Sequence, residues 1–195
     1  MDKAERTKQF IIEQAAPIFN KKGLAGATVN DILDITKMSK GGLYGRFQNK
    51  EEMDENMVDF LLQKLGTKVT QEVAKEKTAV KKIFAFLDVY KNPLTSYIDG
   101  GCPILNFGVE SDDTNPVIKQ KVRDMIFRSQ KRLTDILTQG IENKEIAGTI
   151  NIEEMSIKIF VILEGAMMMS RVTETNKYMD IMIDMLKKEL KGYEL

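Results

Sequence analysis

Hydrophobic residues recur along this chain at helical spacing almost from end to end, and no stretch alternates as a strand would. Ile11, Ile12, Ala15, Ala16 and Phe19 form the first stripe, closed by Lys21-Lys22-Gly23, with Gly23 read as the residue that ends the helix. Pro17 lies inside it, removes one backbone donor and predicts a local kink. Thr28-Val29-Asn30-Asp31 offers a capping threonine with an acid three residues on. It opens a second helix in which Val29, Ile32 and Leu33 are expected to point inward, as far as Thr36. Lys37 and Met38 make a very short connection, and Ser39 is placed to cap a third helix. There Leu43 and Phe47, four apart, face the core, while Lys40, Gly41, Gly42, Tyr44 and Gly45 are left outward. Asn49 and Glu52 predict a capping box for a long fourth helix.

The remainder is helical too. Amphipathic patterns cover Lys50 to about Lys75 and Ala79 to Tyr90, and a turn-rich stretch, NPLTSYIDGGCPILNF, resumes as a short apolar helix. Pro116, after Asn115, starts a helix reaching about Lys144; Ile152 to Val172 and Tyr178 to Leu190 bring the expected total to about nine. The fold class is therefore all-α. Helix, then helix, tight turn and short helix in the first fifty residues is the helix-turn-helix layout, whose second helix enters the DNA major groove.

Composition narrows the chemistry. The 195 residues contain no histidine, which removes His-based triads, His metal ligands and the usual general base near neutral pH. There is no GxGxxG after a strand, no Walker A pattern and no CxxC, so no enzyme, metal site or cofactor is expected. Cys102 alone cannot form an intramolecular disulfide and reads as a buried small hydrophobe, with a thiol sensor as the alternative. No apolar run is long enough for a membrane span, and the opening MDKAERTKQFIIEQ lacks signal-peptide features, so a cytoplasmic location is expected. Net charge is zero, yet residues 1–50 hold nine Lys/Arg against five Asp/Glu. A basic head on an acidic body suggests that the head meets a polyanion.

The spacing Arg6-x4-Ile11-x3-Ala15-x3-Phe19-x3-Gly23, then Thr28-x3-Ile32, then Ser39-Lys40-Gly41-Gly42-Leu43-Tyr44-x2-Phe47-x2-Lys50-Glu51 resembles the DNA-binding head of the TetR/AcrR family. The GGCPILN segment is similar to a GCP-containing stretch in one branch of it. The resemblance implies a homodimeric transcription regulator binding palindromic operator DNA, usually a repressor released by a small apolar ligand. A helical sensor without operator binding is the alternative. On this resemblance the head is expected to span 1–64, with the helix-turn-helix at about 28–47 and a linking helix from 50, and residues 65–195 to form the ligand-binding and dimerisation body. Carried over position by position, Thr28, Tyr44 and Lys50 would hold phosphates, Lys40, Gly41 and Gly42 would face base edges, and Ser39 and Arg46 would assist. Lys37 stands where the family often has glycine, Leu33 where a small alanine is usual, and Gly45 where a phosphate contact is common.

In the body, Phe160 to Val172 is apolar almost all round and reads either as a core helix or as one shared with a dimer partner. The resemblance implies the second. The expected interface is Phe160, Ile162, Leu163 and Ala166 with Met179, Met182, Ile183 and Leu186 of the last helix. For an apolar ligand pocket the candidates are Phe84, Leu87, Tyr90, Leu105, Phe107, Met125, Phe127, Met167 and Met168, with Glu164 as a polar anchor, although such residues at helical spacing also suit a plain core.

Overall fold

The computed structural model describes residues 2–195. Among them lie nine α-helices, a 3-10 turn at Pro93–Thr95 and no strand. The helices are α1 (Lys3–Gly26), α2 (Val29–Thr36), α3 (Lys40–Tyr44), α4 (Lys50–Ala74), α5 (Ala79–Val89), α6 (Pro103–Ser111), α7 (Pro116–Glu142), α8 (Ile152–Val172) and α9 (Lys177–Lys191). The chain divides into two units: residues up to Lys64 with Ile98–Arg123, and Leu65–Tyr97 with Asp124–Leu195. No helix among the described residues is long and apolar enough to cross a membrane.

In the first unit, Ile11, Ala15, Ala16 and Phe19 of α1 are fully buried, joined by Ile32, Leu43, Phe47, Met53 and Met57. Ile32 is the only fully buried member of the inward trio expected on α2; Val29 and Leu33 are half-buried. With eight residues, α2 presents one narrow stripe, and that stripe is Ile32 and Thr36. Pro17 produces no break. The carbonyl its missing donor would have met belongs to Glu13, an exposed residue where water can substitute. The interruption falls at Gly23, whose φ of 75° is the left-handed geometry that glycine tolerates. The helix resumes for a single turn, Leu24–Gly26.

The segment 98–111 is sewn to the end of α1. Asn20, 3% exposed, donates through Nδ2 to the carbonyls of Asp99 (2.9 Å) and Gly101 (3.0 Å). Asn106 Nδ2 donates in return to Asn20 O (3.0 Å) and Gly100 O (3.1 Å). Gly100 has φ 98°, and a Cβ there would come within 3.0 Å of Asn20 backbone atoms, so the GGCP glycine is a steric requirement. Cys102 is buried beside it.

In the second unit α8 packs along α9, and α5 also packs on α9. Ile83, Leu87, Ile159, Leu163, Ile183 and Leu186 are buried in this unit. Ser170 Oγ accepts the N–H of Met179 (3.2 Å), and Arg171 donates to the Pro93 carbonyl (3.0 Å), fixing the end of α8. The residues named for a dimer interface therefore lie mainly inside the single chain. Phe160, Leu163, Ala166, Met179, Ile183 and Leu186 are buried, and Ile162 and Met182 half-buried. Two adjacent amphipathic helices must first cover each other, and those stripes do so.

Candidate nucleic-acid interface

Three caps build the first three helical junctions of the candidate interface. Thr28 Oγ1 accepts the Asp31 N–H (3.2 Å), while Asp31 Oδ2 accepts from both the Thr28 N–H and its hydroxyl (2.9 Å each). Lys37 then takes φ 57°, the left-handed conformation, so the turn closes at some cost in strain in place of a glycine. Ser39 Oγ accepts the Gly42 N–H (3.1 Å) and starts α3. Asn49 caps α4 through the Glu52 N–H (2.8 Å). Glu52 departs from the expected box. Its carboxylate takes the Gln48 N–H (2.6 Å) and the Lys8 ammonium (2.6 Å), which also lies 4.9 Å from the Phe47 ring centre. The Lys8 bond, then the Gln48 bond, lower the Glu52 pKa.

The outward face of α3 carries Lys40 and Tyr44, both exposed, with Ser39 and Gly41 exposed beside them and Gly42 half-exposed. A Cβ added to Gly41 would meet nothing within 4 Å, so the free head does not need that glycine sterically. The space it leaves is available to an approaching groove. Arg46 is half-buried, its Nη1 donating to Gly45 O (3.1 Å).

Two of the expected phosphate ligands are already engaged. Both polar groups of Thr28 are committed to Asp31, whose carboxyl is held at about 2, against an ordinary 3.8, chiefly by Lys22 at 2.6 Å and then by Thr28. A carboxylate thus already neutralises part of the positive end of α2, and a phosphate held by Thr28 itself would have to exchange with it. Lys50 turns inward. It pairs with Asp54, donates to Leu24 O (3.1 Å) and lies 4.8 Å from the Phe19 ring centre.

Glu110 is a structural anchor of the head that no sequence pattern announces. Its Oε2 accepts the Leu24 N–H (2.8 Å) and its Oε1 the Ala25 N–H (2.9 Å), clamping the turn that leads into α2. A Cβ on Gly23 would lie 2.8 Å from the same carboxylate. Nothing in the local sequence of α6 signals a partner more than eighty residues away. Asn20, by contrast, was detectable as a polar residue next to Phe19 on the buried stripe. Glu110→Ala is expected to raise amide exchange at Leu24 and Ala25 by roughly one to two orders of magnitude, the equivalent of about 1–3 kcal/mol. Exchange at Ile11 and Phe19 should stay unchanged, and hydrogen-exchange NMR reads both; unaltered protection at Leu24 would remove the clamp.

The ligand candidates are distributed over both units. Leu105 and Phe107 belong to the first unit; Leu87, Tyr90, Met125 and Met167 are buried; Phe127 and Met168 are exposed; Glu164 is half-buried. Phe84 alone of them lines a cavity of about 790 Å³ in the second unit, with Val89, Tyr97, Lys68, Glu72 and Lys75. Glu72 is bridged by Lys68 and Lys75, each at 2.6 Å, which hold its carboxyl at about 2. Lys68 Nζ lies 5.3 Å from the Tyr97 ring centre.

Comparison with known proteins gives a concordant result for both ends of the chain. Residues 11–56 match the family described as bacterial regulatory proteins, tetR family, and residues 79–186 match the tetracyclin repressor-like C-terminal domain. A TetR-family transcriptional regulator from Cytophaga hutchinsonii superposes with a TM-score of 0.93 at 31% identity, over 100% of this chain and 98% of its own. One from Chloroflexus aurantiacus gives 0.94 at 32% identity with the same coverage. The fold is shared, at 15% identity and a TM-score of 0.77 over 94% of each chain, with the TetR-family regulator CifR, solved as a cysteine mutant with 26-base-pair operator DNA.

Proposed function

Because the chain belongs to the TetR family of DNA-binding transcriptional regulators, which are not enzymes, we propose that it acts as a repressor. It would grip a palindromic operator as a homodimer through its first 64 residues and release it when the remainder binds a small ligand. The observation that carries this reading is the short α3, whose exposed side is Lys40, Gly41 and Tyr44. Lysine donates to guanine O6 and N7, and an open Gly41 allows close approach of backbone to the groove. Tyr44 supplies a hydroxyl for phosphate. Thr28 and Lys50 would join only by exchanging their present partners, as would Lys22, so phosphate contact falls more heavily on an exposed lysine such as Lys37.

The dimer face belongs on the side of α8 and α9 that the chain leaves open. Ile157, Val161, Met168 and Val172 are exposed at i, i+4, i+11 and i+15, with Gly165 between them and free of neighbours. On α9, Tyr178, Ile181 and Met185 form a matching exposed stripe. Four such helices from two copies would bury both stripes, and a two-fold axis would pair the heads with two half-sites. For the ligand, the cavity beside Phe84 and Tyr97 favours an amphipathic molecule over a purely apolar one, since Lys68, Glu72 and Lys75 share its wall. Release requires that the ligand bind the free and operator-bound states with different affinities.

The test is selection of bound duplexes from genomic DNA, followed by binding of the winner to wild type and Lys40→Ala across a salt series. A palindrome should emerge, and Lys40→Ala should weaken specific binding by about 1–3 kcal/mol while relaxing base preference. Unchanged selectivity would mean that α3 does not read the bases. Weak, featureless binding at every salt would favour a sensor that does not bind operators.

A further inference from the structure

A groove of about 570 Å³ in the second unit opens between the C-terminal part of α4, the start of α5 and α7. It shares no lining residue with the cavity beside Tyr97. Four basic side chains, Lys82, Arg128, Lys131 and Arg132, line it against a single acid, Asp135. That acid is already paired with Lys131 at 2.7 Å.

Arg132 is unlike a surface cation. It is half-buried, and its guanidinium donates to two neutral acceptors, Thr70 Oγ1 at 2.8 Å and, weakly, Gly66 O at 3.5 Å. Among the described residues no carboxylate pairs with it. Burial lowers its pKa, the direction expected of a cation held away from water without a counter-charge. Two forces therefore converge on this groove: an uncompensated guanidinium fork, and the apolar walls contributed by Val73, Ala74 and Ile136.

We propose that the groove binds a small organic anion, a carboxylate carried on an apolar body, with Arg132 as its anchor and Arg128 and Lys82 as flanking cations. The planar fork matches a carboxylate in two parallel hydrogen bonds, which a lysine cluster alone would not. An inorganic anion would leave the apolar walls uncovered, and an uncharged apolar compound would leave Arg132 without a counter-ion. The volume is that of a drug-sized ligand site. This assignment does not depend on whether the protein represses or on where its inducer binds.

Isothermal titration of the full-length protein with phenylbutyrate and with its neutral amide, phenylbutyramide, tests it, because the two probes share their apolar body. The carboxylate is expected to bind about tenfold or more tightly than the amide. Arg132→Met should bring the carboxylate down to the affinity of the amide and leave the amide unchanged. Arg128→Gln, at an exposed position, should weaken the carboxylate severalfold, and it decides the matter if Arg132→Met proves misfolded. Equal binding of the two probes, no heat from either at millimolar concentration, or a carboxylate preference that survives the substitutions would overturn the proposal.

Discussion

Replacing Val161 and Met185 together with glutamate is expected to yield a folded monomer that no longer holds its operator. Both positions are more than half exposed in the single chain, at 60% and 58%, so each protomer should keep its core and its helix content. In a two-fold dimer the same changes would place four carboxylates in an apolar contact, where unpaired charge costs several kcal/mol. Loss of the partner turns binding of the second head into a separate bimolecular event. Operator affinity should then fall roughly 100-fold or more, the usual worth of linking two sites. Sedimentation equilibrium and a duplex titration read the two effects independently. A variant that stays dimeric would place the interface on another face, and one that is monomeric yet binds at full strength would break the link between dimerisation and operator recognition.

Phe47→Ala carries the second large effect. Phe47 is 2% exposed, fully enclosed in the first unit, and its ring lies beneath the Lys8 ammonium. Truncating a buried phenylalanine costs about 3–5 kcal/mol. The head has little else to absorb that loss, because α2 has eight residues and α3 five, too short to hold their helices without packing. The expected result is loss of exchange protection from α2 through the start of α4, with operator binding lost in parallel. Phe47→Leu, which keeps most of the volume, should cost less than about 1.5 kcal/mol and retain binding. If Phe47→Ala costs under about 1 kcal/mol in urea unfolding, the aromatic ring is not the anchor of the head.

Both predictions concern residues whose roles were differently legible. The periodicity of the chain, its caps at Thr28, Ser39 and Asn49, and the punctuation at Gly23 and Pro116 were sufficient for the helices, since each is a local matter of spacing and backbone chemistry. The helix-turn-helix and the family resemblance follow from the same short-range pattern, as does the outward placing of Lys40 and Tyr44. Phe47 belongs here in part: spacing four after Leu43 puts it on the same face, and although α3 ends at Tyr44 the Phe47 N–H still reaches the Leu43 carbonyl and keeps that register.

What required the tertiary structure was the choice among equally apolar or equally charged surfaces. Helix α8 is hydrophobic nearly all round, and its sequence does not reveal that Leu163 and Ala166 turn toward the core while Val161 and Met168 face out. Packing against α9 decides that, because two helices in contact can cover only one stripe of each. Partners of charges are decided the same way. Lys50 is directed to Asp54 and Leu24, Glu52 to Lys8, Glu110 to the amides of Leu24 and Ala25, and Arg132 to neutral oxygens beside a groove. Helical spacing sets the side of the helix from which a charge projects. Only the fold brings up the group, more than eighty residues distant for Glu110, that neutralises it or leaves it open to a ligand.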